Sequence, residues 1–114
     1  MTIQELQDRS YKTNEARGFH DGPEQLNIPS KLMLIVSELS EALEEHRNGK
    51  PLCYFSQSGP DSIPKPEGIM AELADVVIRV ADVAGILNVD LETAIKMKMD
   101  YNDTRPYMHG GRKY

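Results

Sequence analysis

Residues 30–50, SKLMLIVSELSEALEEHRNGK, and residues 67–87, EGIMAELADVVIRVADVAGIL, decide how this chain folds. The first reads as a long helix: Pro29 and Ser30 open it, and His46, Arg47, Asn48 and Gly49 close it with cations and a stop signal. In the second, apolar residues from Ile69 to Leu87 cover most of the helical circumference, which predicts a central helix with helical neighbours on several sides.

Working outward, Ile3 to about Arg17 carries helix-forming residues, and Gly18 follows where a helix would end. The segment NVDLETAIKMKMDYNDTRP, residues 88–106, gives a last helix with Asp90 as N-cap, Glu92 in its first turn and Pro106 as its stop. Residues 48–66 contain four prolines and two glycines with no apolar period, so a long irregular connection is expected there. A basic tail spans 105–114. No alternation of useful length predicts strands, so the fold class is all-α: a bundle of four to five helices in one domain over residues 1–114.

Net charge is −5, which argues against a general nucleic-acid binder, although Lys96, Lys98, Arg105, His109, Arg112 and Lys113 crowd into the last nineteen residues. Cys53 is the single cysteine, so a reducing compartment, the cytoplasm, is expected. The first residues lack the pattern of a secretory signal, and the longest apolar run is far too short to span a bilayer.

Carboxylates carry the chemistry. Glu38 and Glu41 are three apart on one helix with Glu45 following, and Glu72 and Asp75 repeat that spacing on the next. Both pairs sit among residues expected to be buried, such as Ile35, Leu39 and Ala42 around the first and Leu73, Ala74 and Val76 around the second. Each stripe admits a plain reading as the solvated face of an amphipathic helix. Local pairing is sparse, however: only Asp75 has a basic residue at i+4, Arg79. If the stripes face one another, each like-charge contact at about 5 Å and an effective dielectric near 20 costs about 3 kcal/mol. Such crowding requires raised pKa values or bound divalent cations, and ligation by oxygen alone suits Mg²⁺ or Mn²⁺.

The ExxE of SELSEALEE, the ExxD of AELADVVIRVADVAGI and the closing KMDYNDTRPYMHGGRKY together resemble the MazG-type all-α nucleotide pyrophosphohydrolases, relatives of the dimeric dUTPases. The likeness covers about Lys31 to Tyr114. It implies an Mg²⁺-dependent hydrolase that splits a (deoxy)nucleoside triphosphate into monophosphate and pyrophosphate and works as a homodimer or homotetramer. It also implies Mg²⁺ ligation by Glu38, Glu41, Glu72 and Asp75, with Glu38 or Glu41 accepting a proton from water. Lys98 and Asn102 match the family's phosphate-side pair on the last helix, and Arg105, His109 and Lys113 are added as candidate phosphate contacts by their charge and position. Two departures stand out: thirty residues separate Glu41 from Glu72, and Ser37 occupies a position where many members carry another Glu.

Other readings stay open. A di-iron bundle needs Glu-x-x-His pairs, and Arg17, Leu43 and Pro106 stand three residues before the three histidines. A non-catalytic helical adaptor with acidic faces for a basic partner is compatible with the same stripes. Tyr11, Phe19, His20, Tyr54 and Phe55 are aromatic or ring-bearing residues that would suit stacking on a base, or would simply pack inside the fold.

Overall fold

A computed structural model describes residues 1–106; the expected roles of His109 and Lys113 fall on residues outside this range. The described residues are mostly helical, with five helices among them: α1 (Ile3–Ala16), the single turn α2 (Gly22–Gln25), α3 (Ile28–Arg47), α4 (Ile69–Ile86) and α5 (Leu91–Asp103). Between α3 and α4 the strands β1 (Tyr54–Ser56) and β2 (Lys65–Glu67) pair antiparallel, Tyr54 opposite Glu67.

Local signals place most helix ends. Thr2 and Glu5 form a reciprocal capping box at the start of α1, and Asp90 caps α5 by accepting from the Thr93 N–H at 3.0 Å. That bond, with a second from the Thr93 hydroxyl, holds the Asp90 carboxyl below the usual carboxylate range. The start of α3 lies earlier than Ser30: Asn27 is the cap, accepting from the Ser30 N–H, and Pro29 falls in the first turn, where its missing N–H costs nothing.

The connection after α3 differs from a structureless loop, because its middle folds into the short hairpin. Tyr54 docks this hairpin on α3 by donating its hydroxyl to both Glu45 oxygens, at 3.0 and 3.1 Å. Burial and the adjacent Glu45 push the Tyr54 hydroxyl's pKa up. The return leg is fixed at Gly68, the N-cap of α4, whose φ of +97° is left-handed. There the Met70 N–H donates to the Leu52 carbonyl at 3.1 Å, leaving no room for a side chain: a Cβ on residue 68 would stand 2.5 Å from that carbonyl oxygen.

Helix α4 is the centre, packed against α3 on one side and α1 on another, while α5 packs on α1. Helices α1 and α4 approach closely at Gly85, where the Tyr11 ring occupies the space of a Cβ. Gln7, almost fully buried, ties α1 to the α4–α5 turn by donating to the Val89 carbonyl at 2.8 Å and accepting from the Leu91 N–H at 3.3 Å.

This arrangement buries little apolar bulk. Among the described residues the buried hydrophobics are Ala42, Ala81, Val83 and Ala84, all small, and no large side chain is fully buried. The chain exposes 8921 Å², whereas a folded monomer of 12.8 kDa is expected to expose about 6,300 Å². Its radius of gyration, 17.2 Å, exceeds the value of about 13 Å expected for a compact chain of this length. Leu32, Val36, Leu39 and Leu43 form an exposed apolar row on α3, and Met70, Leu73, Val77 and Val80 form another on α4. No helix among the described residues is long and apolar enough to cross a membrane.

Gly68→Ala should destabilise the protein by about 2 kcal/mol or more, since left-handed strain adds to the backbone clash. Chemical denaturation checks this, and an unchanged midpoint would contradict the tight closure at the start of α4.

Candidate metal centre and adjoining groove

Helices α3 and α4 bring the two acidic stripes face to face. One oxygen from each of Glu38, Glu72 and Asp75 lies within 4.8 Å of the others. Glu41, one turn beyond Glu38, stands close enough for its charge to help raise the pKa of Glu72. Three of the four expected carboxylates thus converge and the fourth flanks them; Glu38 and Glu72 are half-buried, and Glu41 and Asp75 are exposed.

Glu72 bears the cost. Burial, then the neighbouring carboxylates of Glu38 and Glu41, raise its pKa from 4.5 to about 7. Its Oε2 is buried without a hydrogen-bond partner among the described residues. A buried carboxylate oxygen in that state calls for a partner, which a proton, an ordered water or a cation can supply. Asp75 is also raised, first by burial and then by Glu38, while Arg79 and Lys65 pull it back down. An all-oxygen donor set with an orphaned buried oxygen fits a hard divalent cation.

Arg79 occupies an unexpected place. Its position four residues after Asp75 pointed to pairing along α4, yet its Nε donates across the helix pair to Glu38 Oε1 at 2.9 Å. The Glu38 side chain is only 13 % exposed, so this guanidinium is the internal counter-charge of the cluster. One carboxylate oxygen of Glu38 is therefore engaged, and Glu41 keeps both of its own free of ion pairs among the described residues.

Two open spaces flank the carboxylates. Glu41 and Glu72 line a shallow cavity of about 400 Å³ together with Glu44, Glu45 and Lys50. Asp75 and Arg79 line a larger groove of about 840 Å³ between α1, α3 and α4. At the far wall of that groove lies Asp82, 3 % exposed, which sequence reading passed over. His20 Nε2 is 2.9 Å from its Oδ1, and Lys31 Nζ is 4.0 Å from its Oδ2. With the proton on Nε2, His20 donates to Asp82 and leaves its buried Nδ1, which has no partner, as a bare acceptor. Tyr11 packs against the His20 ring with centroids 4.6 Å apart, so both residues serve the interior and neither is available to stack on a base. One signal was present in the sequence: Asp82 continues the stripe Glu72, Asp75, Arg79 at helical spacing along an otherwise apolar helix.

The last-helix residues are placed apart from this centre. Lys98, Asn102 and Arg105 are exposed, line neither cavity, and belong to the region of α5, which packs on α1. Lys98 Nζ lies 5.1 Å from the Tyr101 ring centroid on the same helix.

Comparison with known proteins returned no matching family model, no similar curated protein and no similar solved structure.

The raised Glu72 pKa fixes a sign. A carboxyl that keeps its proton more tightly in the folded state than in the unfolded one contributes stability at low pH, and loses it as pH rises through about 7. Metal-free protein should therefore melt at a lower temperature at pH 8 than at pH 5.5. Glu72→Gln should flatten this profile, and millimolar Mg²⁺ or Mn²⁺ should raise the pH 8 midpoint of the unsubstituted protein. Thermal melts at a series of pH values measure all three effects.

Proposed function

We propose that this chain is a divalent-cation-dependent nucleoside triphosphate pyrophosphohydrolase, acting on a (deoxy)nucleoside triphosphate to give the monophosphate and pyrophosphate. The observation that carries the reading is the convergence of Glu38, Glu72 and Asp75, with Glu41 beside them, around a buried carboxylate oxygen that has no partner. The motif resemblance to the MazG-type family supplies the reaction; the electrostatics supply the need for a cation.

Glu38, Glu72 and Asp75 would hold Mg²⁺, or Mn²⁺, with Glu41 as a fourth ligand or as the base. When bound, the cation neutralises the phosphates and orients them for in-line attack. Water attacks the α-phosphorus, the bond from it to the α–β bridging oxygen breaks, and pyrophosphate leaves. The water's proton passes to a carboxylate, and Glu41 is the better placed acceptor, because Glu38 already gives an oxygen to Arg79. Arg79 stands where a guanidinium can turn from Glu38 to a phosphate oxygen once a cation has taken over the neutralising role.

The active form in this reading is a homodimer or homotetramer. Among the described residues the buried hydrophobics are few and small, and the exposed surface is well above that of a compact monomer of this mass, which favours association through a second copy. The apolar rows of α3 and α4 are the natural contact. A second copy is also the route by which Lys98, Asn102 and Arg105, together with His109 and Lys113, would reach the phosphates, since α5 sits on α1 within one chain.

Pyrophosphate release from a panel of deoxy- and ribonucleoside triphosphates in Mg²⁺ tests the activity. Glu72→Gln and Asp75→Asn should each lower the rate at least about a hundredfold. No release from any triphosphate, or an undiminished rate in both variants, would overturn the reading. Sedimentation velocity should show a dimer or tetramer, and a stable monomer would remove the oligomeric part.

A further inference from the structure

Of the two spaces flanking the carboxylates, the shallow one of about 400 Å³ has no apolar side: every residue lining it is polar or charged. Such a space suits a hydrated, charged ligand and offers nothing to an apolar one. It meets the cluster at Glu72, which belongs both to the trio and to this lining. Lys50 is the cation in that lining. Local backbone chemistry fixes where the lysine stands. Gly49, with a φ of +65°, ends α3 in the left-handed region, its N–H donating to the His46 carbonyl at 3.1 Å while the Lys50 N–H donates to the Glu45 carbonyl at 3.2 Å. Pro51 then confines Lys50 to extended backbone.

The Lys50 ammonium nonetheless has no ion-pair partner among the described residues, although Glu41, Glu44, Glu45 and Glu72 line the same space. It rests 5.9 Å from the Tyr54 ring centroid, near the limit of a cation–π contact. Two of those carboxylates are engaged elsewhere: Glu45 accepts from the Tyr54 hydroxyl, and Glu44 pairs with Arg47. A positive charge is thus held beside the cluster and left open to an incoming anion.

We propose that Lys50 contacts the terminal phosphate of the substrate and sets a preference for triphosphates over diphosphates. The assignment rests on the pyrophosphohydrolase reading, in which the α-phosphate is attacked at the cation-bound trio and the rest of the phosphate chain extends beyond it. The wholly polar space reached through Glu72 has the chemistry to receive that chain. A diphosphate places one phosphate past the point of attack, a triphosphate places two, and the second gains the ammonium. A cation after the last turn of α3 also complements the helix dipole, but that role is indifferent to the length of a phosphate chain.

Hydrolysis by the full chain in Mg²⁺, with deoxynucleoside triphosphates and the matching diphosphates, tests the assignment. Lys50→Gln should lower kcat/KM for triphosphates about tenfold or more, the scale of a lost charge-assisted hydrogen bond, and change that for diphosphates less than about twofold. Inhibition by inorganic pyrophosphate should weaken by a similar factor, a readout that does not require diphosphates to be substrates. Lys50→Arg should keep the triphosphate preference, and melting curves confirm that each variant folds. If Lys50→Gln leaves triphosphate hydrolysis and pyrophosphate inhibition unchanged, or slows both substrates equally, the Lys50 assignment fails while the hydrolase reading stands. If the original protein hydrolyses no triphosphate, both fail together.

Discussion

Like-charge crowding between α3 and α4 is the constraint around which the rest is arranged. Glu72, Asp75, Arg79 and Asp82 follow one another along a single face of α4 at spacings of three, four and three residues; Asp82 is buried and Glu72 half-buried, while Asp75 is exposed and the Arg79 side chain is 41 % exposed. Each charge in this stripe or opposite it is answered differently. Asp82 has His20 and Lys31, Glu38 has Arg79, and Glu72 keeps a proton in reach of neutral pH. A helix carrying such a stripe cannot pack on hydrophobic partners there, so its apolar residues are left for other contacts. The small core and the exposed leucine and methionine rows are the other side of the same arrangement.

The two ends of the stripe have unlike electrostatics. At the Asp82 end, counter-charges from the α1–α2 turn and from α3 meet the carboxylate, and His20 Nδ1 is buried beside them without a partner among the described residues. At the Glu72 end, an oxygen is buried with nothing opposite it. A fold seldom retains an unmet polar atom without a use for it. The groove runs along this helix face from Asp75 toward Asp82.

Much of this was legible in the residues. Helical periodicity and caps located four helices, and the i, i+3 carboxylate pairs marked the residues from which the α3–α4 cluster is built. Less was legible where partners lie far apart in the chain. Arg79 looked like a partner for Asp75 because local spacing says nothing about Glu38, forty-one residues earlier. His20 and Tyr11 looked available for stacking because nothing local reveals Asp82 beneath them. The hairpin escaped because three-residue strands among prolines have no measurable period; its register is set by Tyr54 on Glu45 and by the backbone at Gly68. Lys98 and Asn102 lie on α5 and Arg105 just beyond it, and none of the three lines the cavities beside the carboxylates.

The closure at Gly68 also bears on how the long connection can change. Both legs are pinned near their roots, Leu52 to Met70 through the backbone and Tyr54 to Glu45 through side chains, while the tip reaches outward as far as Ile63, which is 90 % exposed. Residues added to or removed from the tip therefore leave the phase of α4 untouched. The thirty-residue interval is tolerable for that reason: the hairpin is a cantilever whose length is decoupled from its anchorage, and the register of α4 against α3 is insulated from whatever the overhang becomes.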